Sequence, residues 1–523
     1  MNETITMKRL SMQVGTIALL CLAGSWSHAQ EPGQPAPRFE RLGVESCQGC
    51  HQRPSDLYRE KQTTAFVALT EFATWTDHDK HSQAYKLLET ELGQSICKSL
   101  QIDLKDGSSS QQCLSCHADW QKGTPQPKPF DLRQGVTCEA CHGAASNWAN
   151  PTLHQQEEWR RISPADKFAK HGMIDIRDPI ARARVCNSCH IGDRAQGKFV
   201  THEMYAAGHP PLPPIEPETF ADQMPKHWRS LLEKPDFEHR PLYEQLNRFR
   251  SNEHLSSRSV VLGAIESLRT SNRLFAGEVA AAKGPWPDFA IFDCTACHHE
   301  LTSKSWRLER GYGGNPPGRP PMSAWPAVLV PLAIRHAATD DTDFARRRGA
   351  FQTQLKALHA AVASRPFGNA VRVQEAVSKL DEWLENLERD TSTKPFDTAA
   401  VRQALQTLVA GEERALPDFD SARQTAWAAR VFATDVELPL PNTSPPSADD
   451  LKDFRRASRQ RAETAHAAFA ASKLNDRLSL TLPTGRDVSI PATLPAILKS
   501  QSDYDPTWFR QSLREAINRL NAK

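Results

Sequence analysis

The stretch GVTCEACHGAASNW, residues 135–148, contains two cysteines three positions apart and a histidine directly after the second one. The same C-x-x-C-H pattern occurs five times in the chain. Its cysteines are Cys47, Cys50, Cys113, Cys116, Cys138, Cys141, Cys186, Cys189, Cys294 and Cys297, and its histidines are His51, His117, His142, His190 and His298. Five such coincidences are not expected by chance, because only 19 of the 523 residues are histidine. The repeated pattern therefore directs the interpretation of the whole sequence.

C-x-x-C-H is the attachment signal for c-type haem. Two cysteines at this spacing lie on one side of a tight helical turn and can form thioethers with the two haem vinyl groups, and the histidine then presents an imidazole to the iron. Zinc ribbons do not need a histidine after each pair, and thioredoxin-like redox pairs do not come in fives. Disulfides suit an exported protein, but a C-x-x-C bridge closes very little chain. The pattern predicts five covalently bound c-type haems.

The N-terminus predicts export. Two basic residues precede an apolar run at 14–24, and Ala29 ends a small-x-small cleavage signal. The run is too short to span a bilayer comfortably, so we expect residues 1–29 to be a cleaved Sec-type signal peptide. Cys21 suggests a lipoprotein instead, but Leu20 stands where a lipobox needs a small residue. The mature protein is expected to be periplasmic, without a transmembrane segment, and either soluble or peripheral at a membrane.

The composition excludes several classes of protein. Lys plus Arg is 64 and Asp plus Glu is 62, which gives no basic excess for binding nucleic acid. Charged residues make up 24% and the mean hydropathy is −0.55, so the chain is neither a membrane bundle nor a disordered tail. The expected partners are redox proteins, a donor and an acceptor of electrons.

A second axial ligand separates an electron carrier from a catalyst, because an iron with two protein ligands has no position for substrate. The candidate second ligands are His81, His154, His202 and His209. His81 lies in TWTDHDKHSQAYKLL, where the sequence predicts a helix, and His154 follows His142 by twelve residues. His202 and His209 are seven apart, so a continuous helix would place both on one face, although Pro210 would end it there.

Four candidates for five irons leave one iron open or bound by another histidine. His78, His171 and His299 are the reserve candidates, whereas His227, His239 and His254 are interpreted as ordinary histidines. Cys97 is the one mature cysteine outside the five motifs. It is most simply a small buried hydrophobic residue, and the alternative is a reactive or intermolecular thiol.

The fold is expected to be mainly α. Residues 30–46 form an extended lead-in, residues 47–325 a haem-packed cytochrome domain with sparse helices, and residues 326–523 a helical accessory domain. The boundary is predicted at GYGGNPPGRPP, residues 311–321. One or two long helices are expected within 241–283. Further helices are expected near residues 341–362, 373–387, 397–411, 419–434, 448–474 and 505–520, where apolar residues recur at helical spacing.

Three segments resemble a known family, the exported multihaem cytochromes of the cytochrome c-554 type. They are GVTCEACHGAASNW (135–148), VCNSCHIGDRAQGKFVTHEMYAAGHPPLP (185–213) and DCTACHHELTSKSWR (293–307). The element W-x5-H-x3-Y, here Trp75, His81 and Tyr85, is similar to the family's distal-ligand helix. The resemblance implies closely packed haem pairs, mostly bis-histidine ligation and periplasmic electron transfer.

More distant relatives of that family are the multihaem nitrite reductases and hydroxylamine oxidoreductases. Pentahaem nitrite reductases bind their catalytic haem through a lysine in C-x-x-C-K, whereas all five motifs here end in histidine. The sequence therefore predicts an electron-transferring pentahaem cytochrome more strongly than an enzyme. The alternative is an oxidoreductase in which one five-coordinate haem acts on a small nitrogen or sulfur oxide, and no catalytic residue is assigned.

Overall fold

Helices form nearly all the regular structure of the chain. A computed structural model describes residues 39–52, 69–105, 109–120, 131–228, 244–245, 250, 252–280, 287–310, 318–364, 367–410, 416, 418–438, 448–482 and 493–521. In these ranges the only β-pairing consists of two isolated bridges, Asp193 with Lys198 and Phe292 with Met322. The prediction of a mainly α fold is confirmed. The predicted signal peptide and most of the lead-in, residues 1–38, lie outside the described residues.

The part of the chain with the C-x-x-C-H motifs folds into short helices. They are α1 (Glu45–His51), α2 (Glu71–His78), α3 (Lys86–Glu89), α4 (Glu91–Ser99), α5 (Gln111–His117), α6 (Cys138–His142), α7 (Pro151–His154), α8 (Glu157–Arg161), α9 (Pro164–His171), α10 (Pro179–His190), α11 (His202–Ala206) and α12 (Pro217–Asp222). Short 3-10 turns occur at Lys80–Gln83, Leu132–Gln134, Phe289–Ile291, Cys294–Ala296 and Trp325–Ala327. Four of the α-helices begin at proline, which suits the first helical turn because it has no N–H to leave unpaired. The helices are short and sparse, as the sequence predicts.

Helix α13 (Leu255–Ala280) lies within the predicted helical range 241–283 and is the longest described helix. Apolar side chains such as Val260 and Ile265 are fully buried. Glu266 is also fully buried and accepts hydrogen bonds from Arg184 at 3.1 Å and Arg273 at 2.8 Å. A helix with buried residues on every face lies inside a structure rather than on its surface.

The helices beyond α13 include those predicted from the helical spacing of apolar residues. They are α14 (Trp306–Arg310), α15 (Val330–Ala337), α16 (Asp341–Ala363), α17 (Ala370–Thr393), α18 (Thr398–Ala410), α19 (Phe419–Asp435), α20 (Ala448–Ala471), α21 (Leu474–Arg477), α22 (Leu494–Asp503) and α23 (Pro506–Asn521). On α17, Val373, Leu380 and Leu384 are fully buried, and Trp383 stacks on Phe351 with ring centroids 5.4 Å apart. The apolar rhythm of the sequence therefore marks the inward faces of these helices.

One buried apolar cluster joins the two parts of the chain, from Ile180 on α10 to Leu520 on α23. Arg269 on α13 links them further, because its guanidinium donates to Asp381 at 2.9 Å and to Glu388 at 2.8 Å, both on α17. The domain boundary at 311–321 stays a prediction, and residues 311–317 of it are outside the described part. Across the described ranges, no helix has both the length and the apolar character needed to cross a bilayer.

A buried carboxylate lies between α13 and α19. Asp435 accepts hydrogen bonds from the backbone N–H of Ser257 at 2.9 Å and from its hydroxyl at 2.7 Å. Burial, opposed by these bonds, raises the pKa of Asp435 to about 7. The folded state then holds a proton that the unfolded chain releases at about pH 4. The free energy of unfolding is therefore expected to fall as the pH rises from about 4 to about 7.

The substitution Asp435→Asn tests this pH dependence. We expect it to raise the free energy of unfolding by about 2–4 kcal/mol at about pH 8, and to change it much less at about pH 4. Denaturant unfolding at the two pH values measures both effects. The matched control is Asp449→Asn, because Asp449 is exposed on α20. Equal gains at both pH values would contradict a buried, proton-binding Asp435.

Candidate haem sites

The five C-x-x-C-H motifs all lie in helical turns. Four of their histidines are the last residues of α1, α5, α6 and α10, and the fifth motif begins in the 3-10 turn Cys294–Ala296. We number the sites by their histidines: site 1 (His51), site 2 (His117), site 3 (His142), site 4 (His190) and site 5 (His298). Within the described ranges no motif cysteine forms a disulfide, and no three His, Cys, Asp or Glu side chains are grouped to hold a bare metal ion.

Three motif histidines face a second histidine across a short gap. His51 faces His154 with ring centroids 6.4 Å apart, and His117 faces His209 at 6.3 Å. His202 faces His298, also at 6.3 Å, with the rings 25° from parallel. The three partners are among the four candidate second ligands that the sequence predicts.

These separations suit two imidazoles on one haem iron. An imidazole nitrogen lies about 2 Å from a metal ion that it binds, and the ring centroid lies about 1 Å further, so opposite imidazoles have centroids roughly 6 Å apart. The three pairs have this separation without any adjustment of the chain. The residues present therefore fit a haem with two axial histidines at sites 1, 2 and 5.

Sites 3 and 4 each have a second histidine nearby. Burial, and then the charge of His81, lower the pKa of His190 to about 4. Burial, and then the charge of His227, lower the pKa of His142 to about 4. The two motif imidazoles are thus neutral at neutral pH, which is the form that binds a metal ion. His81 is the fourth predicted candidate, whereas His227 is interpreted from the sequence as an ordinary residue.

Five of these histidines are oriented by a hydrogen bond from Nδ1. The bonds join His51 to the Glu71 carboxylate (2.9 Å), His81 to the Asp79 carboxylate (3.0 Å), His117 to the Ala84 carbonyl (2.9 Å), His209 to the Pro210 carbonyl (2.7 Å) and His227 to the Pro225 carbonyl (3.2 Å). A nitrogen that donates to a carbonyl oxygen carries the proton, so the other ring nitrogen, Nε2, keeps its lone pair. Outer partners of this kind hold metal-binding histidines in one tautomer and one orientation.

His81 does not lie on the continuous helix expected from TWTDHDKHSQAYKLL. Helix α2 ends at His78, Asp79 is extended, and His81 lies in the 3-10 turn that follows. The break occurs because the Asp79 carboxylate accepts the backbone N–H of His81 at 3.0 Å in addition to its ring N–H. Trp75 of the same element donates its indole N–H to the Val136 carbonyl at 3.0 Å, beside site 3.

His202 and His209 do not share a helix face. Helix α11 ends at Ala206, and Gly208 has a φ of 109°, a conformation that L side chains rarely adopt. The turn at Gly208 directs His209 to His117 and leaves His202 with His298. The two candidates therefore belong to different sites, which the spacing of seven residues does not reveal.

Thiol contacts show which sites are neighbours. The side chains of Cys47 and Cys138 lie next to each other, which brings sites 1 and 3 together. The side chains of Cys116 and Cys189 also lie next to each other, which brings sites 2 and 4 together. The buried Cys97, which the sequence leaves without a partner, lies next to Cys113 of site 2.

The reserve and ordinary histidines have other partners. The His171 ring donates to the amide oxygen of Asn147 at 2.7 Å, and the His299 ring donates to the Glu300 carbonyl at 3.0 Å. His254 contacts Thr398 at 3.1 Å. His239 lies outside the described residues. His227, interpreted from the sequence as ordinary, lies near His142, and no helical rhythm in the sequence marks it.

Aromatic side chains connect two of the sites to the C-terminal helices. Phe220 on α12 contacts the His190 ring at 5.7 Å and the fully buried Trp427 of α19 at 5.7 Å. Phe289 contacts the His202 ring at 5.7 Å and Phe367 at 5.0 Å. The chain after residue 326 thus supports the imidazole of site 4 through Trp427 of α19, and that of site 5 through Phe367, which lies between α16 and α17.

Comparison with known proteins gives one match. Residues 46–143, about a fifth of the chain, match the family described as cytochrome c554 and c-prime. No curated protein and no solved structure matches the chain. The matched segment contains the C-x-x-C-H motifs of sites 1, 2 and 3, so the resemblance stated from the sequence is confirmed there. Over residues 46–143 the chain is similar to the cytochrome c554 family, and this similarity points to a c-type cytochrome with covalently bound haem.

Proposed function

We propose that the protein is a periplasmic pentahaem c-type cytochrome that conducts electrons through haems with two axial histidines. The observation that carries the proposal is the set of three histidine pairs at 6.3–6.4 Å, each joining a motif histidine to a remote one. His81 completes site 4 and His227 completes site 3. The five C-x-x-C-H motifs supply the thioether cysteines.

Haem bound at these sites supplies the reversible one-electron chemistry of its iron. The chain holds the imidazoles in place through the Nδ1 hydrogen bonds, and buries sites such as site 4 among α10, α12 and α13. Two imidazoles stabilise ferric iron, so low potentials are expected. The protein's part is to set the spacing of the haems and the potential of each.

Electrons are proposed to enter and leave at the two ends of this array. Cys50 of site 1 and Cys297 of site 5 are exposed, whereas the other motif cysteines are partly buried. A redox partner can therefore approach sites 1 and 5 most closely. Export remains a proposal supported by the signal-like N-terminus, and the partners are a protein donor and a protein acceptor.

The alternative function, an oxidoreductase with one open haem, requires an iron without a second histidine. Sites 3 and 4 are where this alternative would apply. Their second histidines, His227 near His142 and His81 near His190, are related to the motif histidines by electrostatic proximity and not by ring contact. Trp228, 41% exposed, stands beside His227 with ring centroids 5.0 Å apart. The pairings of His227 with His142 and of His81 with His190 therefore decide between a closed carrier and a catalyst.

The experiment counts haems and open irons in the exported holoprotein. Mass spectrometry of the full chain is expected to show five haems, and the reduced protein is expected to be low-spin and not to bind carbon monoxide. The variant His227→Ala should then turn one iron high-spin and carbon-monoxide-reactive, whereas His299→Ala should change nothing. Carbon monoxide binding by the unaltered protein would contradict the closed array and favour the oxidoreductase.

A further inference from the structure

The outer hydrogen-bond partners of the axial histidines fall into two chemical classes. At sites 1 and 4 one histidine donates its Nδ1 proton to a carboxylate, Glu71 at 2.9 Å and Asp79 at 3.0 Å. At site 2 both histidines donate to backbone carbonyls, at 2.9 Å and 2.7 Å. Asp79 is buried, 3% exposed, so water screens its charge poorly.

A carboxylate and a carbonyl have different effects on the iron. A carboxylate attracts the Nδ1 proton more strongly, which makes the imidazole more basic toward the metal ion. Its negative charge also favours the more positive oxidation state. Both effects stabilise ferric iron, so they lower the reduction potential of the site. A neutral carbonyl has neither effect to the same degree.

Each close pair of sites contains one hydrogen-bond partner of each class. Site 4, whose His81 bonds Asp79, is the neighbour of site 2 through the thiol contact of Cys189 with Cys116. Site 1, whose His51 bonds Glu71, is the neighbour of site 3 through Cys47 and Cys138. In site 3 the nearby His227 donates to the Pro225 carbonyl. Each pair thus combines a carboxylate-bound and a carbonyl-bound histidine.

We infer that within each close pair the carboxylate-bound site is the electron donor and the carbonyl-bound site the acceptor, so that electrons run from site 4 to site 2 and from site 1 to site 3. This inference rests on the proposed function. One electron leaves the donor site and arrives at its neighbour, so the donor is oxidised and the acceptor reduced. No bond forms or breaks, and the external reductant is the protein donor of the proposed function. Glu71 and Asp79 are positioning residues that set this direction through the histidines.

The variants Asp79→Asn and Glu71→Gln test the direction in the full-length holoprotein. Asparagine keeps an oxygen that can accept the His81 backbone N–H, so the turn is retained. Each variant is expected to shift the reduction equilibrium of one haem about tenfold toward ferrous iron, which is about 59 mV for one electron. Redox titration followed by absorbance and electron paramagnetic resonance measures this, with every iron remaining low-spin.

The matched control is Glu45→Gln, because Glu45 lies exposed on α1, the helix of His51, and bonds Gln134 instead of a histidine. It should leave all potentials unchanged. Unchanged or lowered potentials in both test variants, with low-spin spectra retained, would overturn the inference. Fewer than five low-spin haems in the unaltered protein would instead overturn the proposed function, so the two failures are distinguishable.

Discussion

The variant His209→Ala is expected to turn the site 2 iron high-spin and to open it to carbon monoxide. His209 faces His117 at 6.3 Å, and its Nδ1 is held by the Pro210 carbonyl at 2.7 Å. Alanine removes the second ligand and keeps the turn at Gly208. An iron with one protein ligand has an open position. The expected effect is therefore that one haem, which does not bind carbon monoxide in the unaltered protein, binds it fully in the variant. Absorbance spectra of the reduced protein, with and without carbon monoxide, measure it.

The control for this variant is His171→Ala, because His171 is a reserve histidine that bonds Asn147 and not a motif histidine. It should leave every iron low-spin. Spectra of His209→Ala identical to those of the unaltered protein would remove His209 from the ligand set. Loss of the whole haem from site 2 would show that His209 is required for attachment and would contradict a purely axial role.

The variant Glu139→Ala is expected to lower the free energy of unfolding by about 3–5 kcal/mol, because each buried donor left unsatisfied costs about 1–3 kcal/mol. Glu139 lies between the two cysteines of site 3 and is 1% exposed. Its carboxylate accepts the backbone N–H groups of Leu42 at 3.0 Å, Gly43 at 2.7 Å and Ala145 at 2.7 Å. These bonds hold the chain before α1 against α6, and so hold site 1 beside site 3. Denaturant unfolding of the holoprotein measures the loss.

The control is Glu158→Ala, because Glu158 is an exposed residue of α8. Its effect should stay within about 0.5 kcal/mol, as is usual for surface substitutions. A loss below about 1 kcal/mol for Glu139→Ala would mean that the three N–H groups find other acceptors. The variant should also disturb sites 1 and 3 more than site 5, and haem spectra of the folded protein test this.

Local patterns predicted much of the fold. The apolar rhythm at 373–387 predicts the buried face of α17, and the helices expected at 341–362 and 419–434 are α16 and α19 to within a residue or two. Such predictions succeed because helical periodicity is a property of neighbouring residues. The expected helix around His81 is wrong, because a side-chain cap from Asp79 ends α2 before the apolar pattern does. That hydrogen bond competes with the helix and leaves no signal in the periodicity.

By itself, the sequence predicted the attachment chemistry, because both cysteines and the first candidate iron ligand lie within five consecutive residues. It could not determine which remote histidine meets which motif. The His154 ring faces His51 of site 1 although site 3 is nearer in the sequence, and the unremarkable His227 lies near His142. Only the tertiary structure showed these contacts, and the carboxylate or carbonyl that bonds five of the rings. A second ligand is brought in by packing between distant segments, and packing depends on turns such as the one at Gly208 rather than on spacing along the chain.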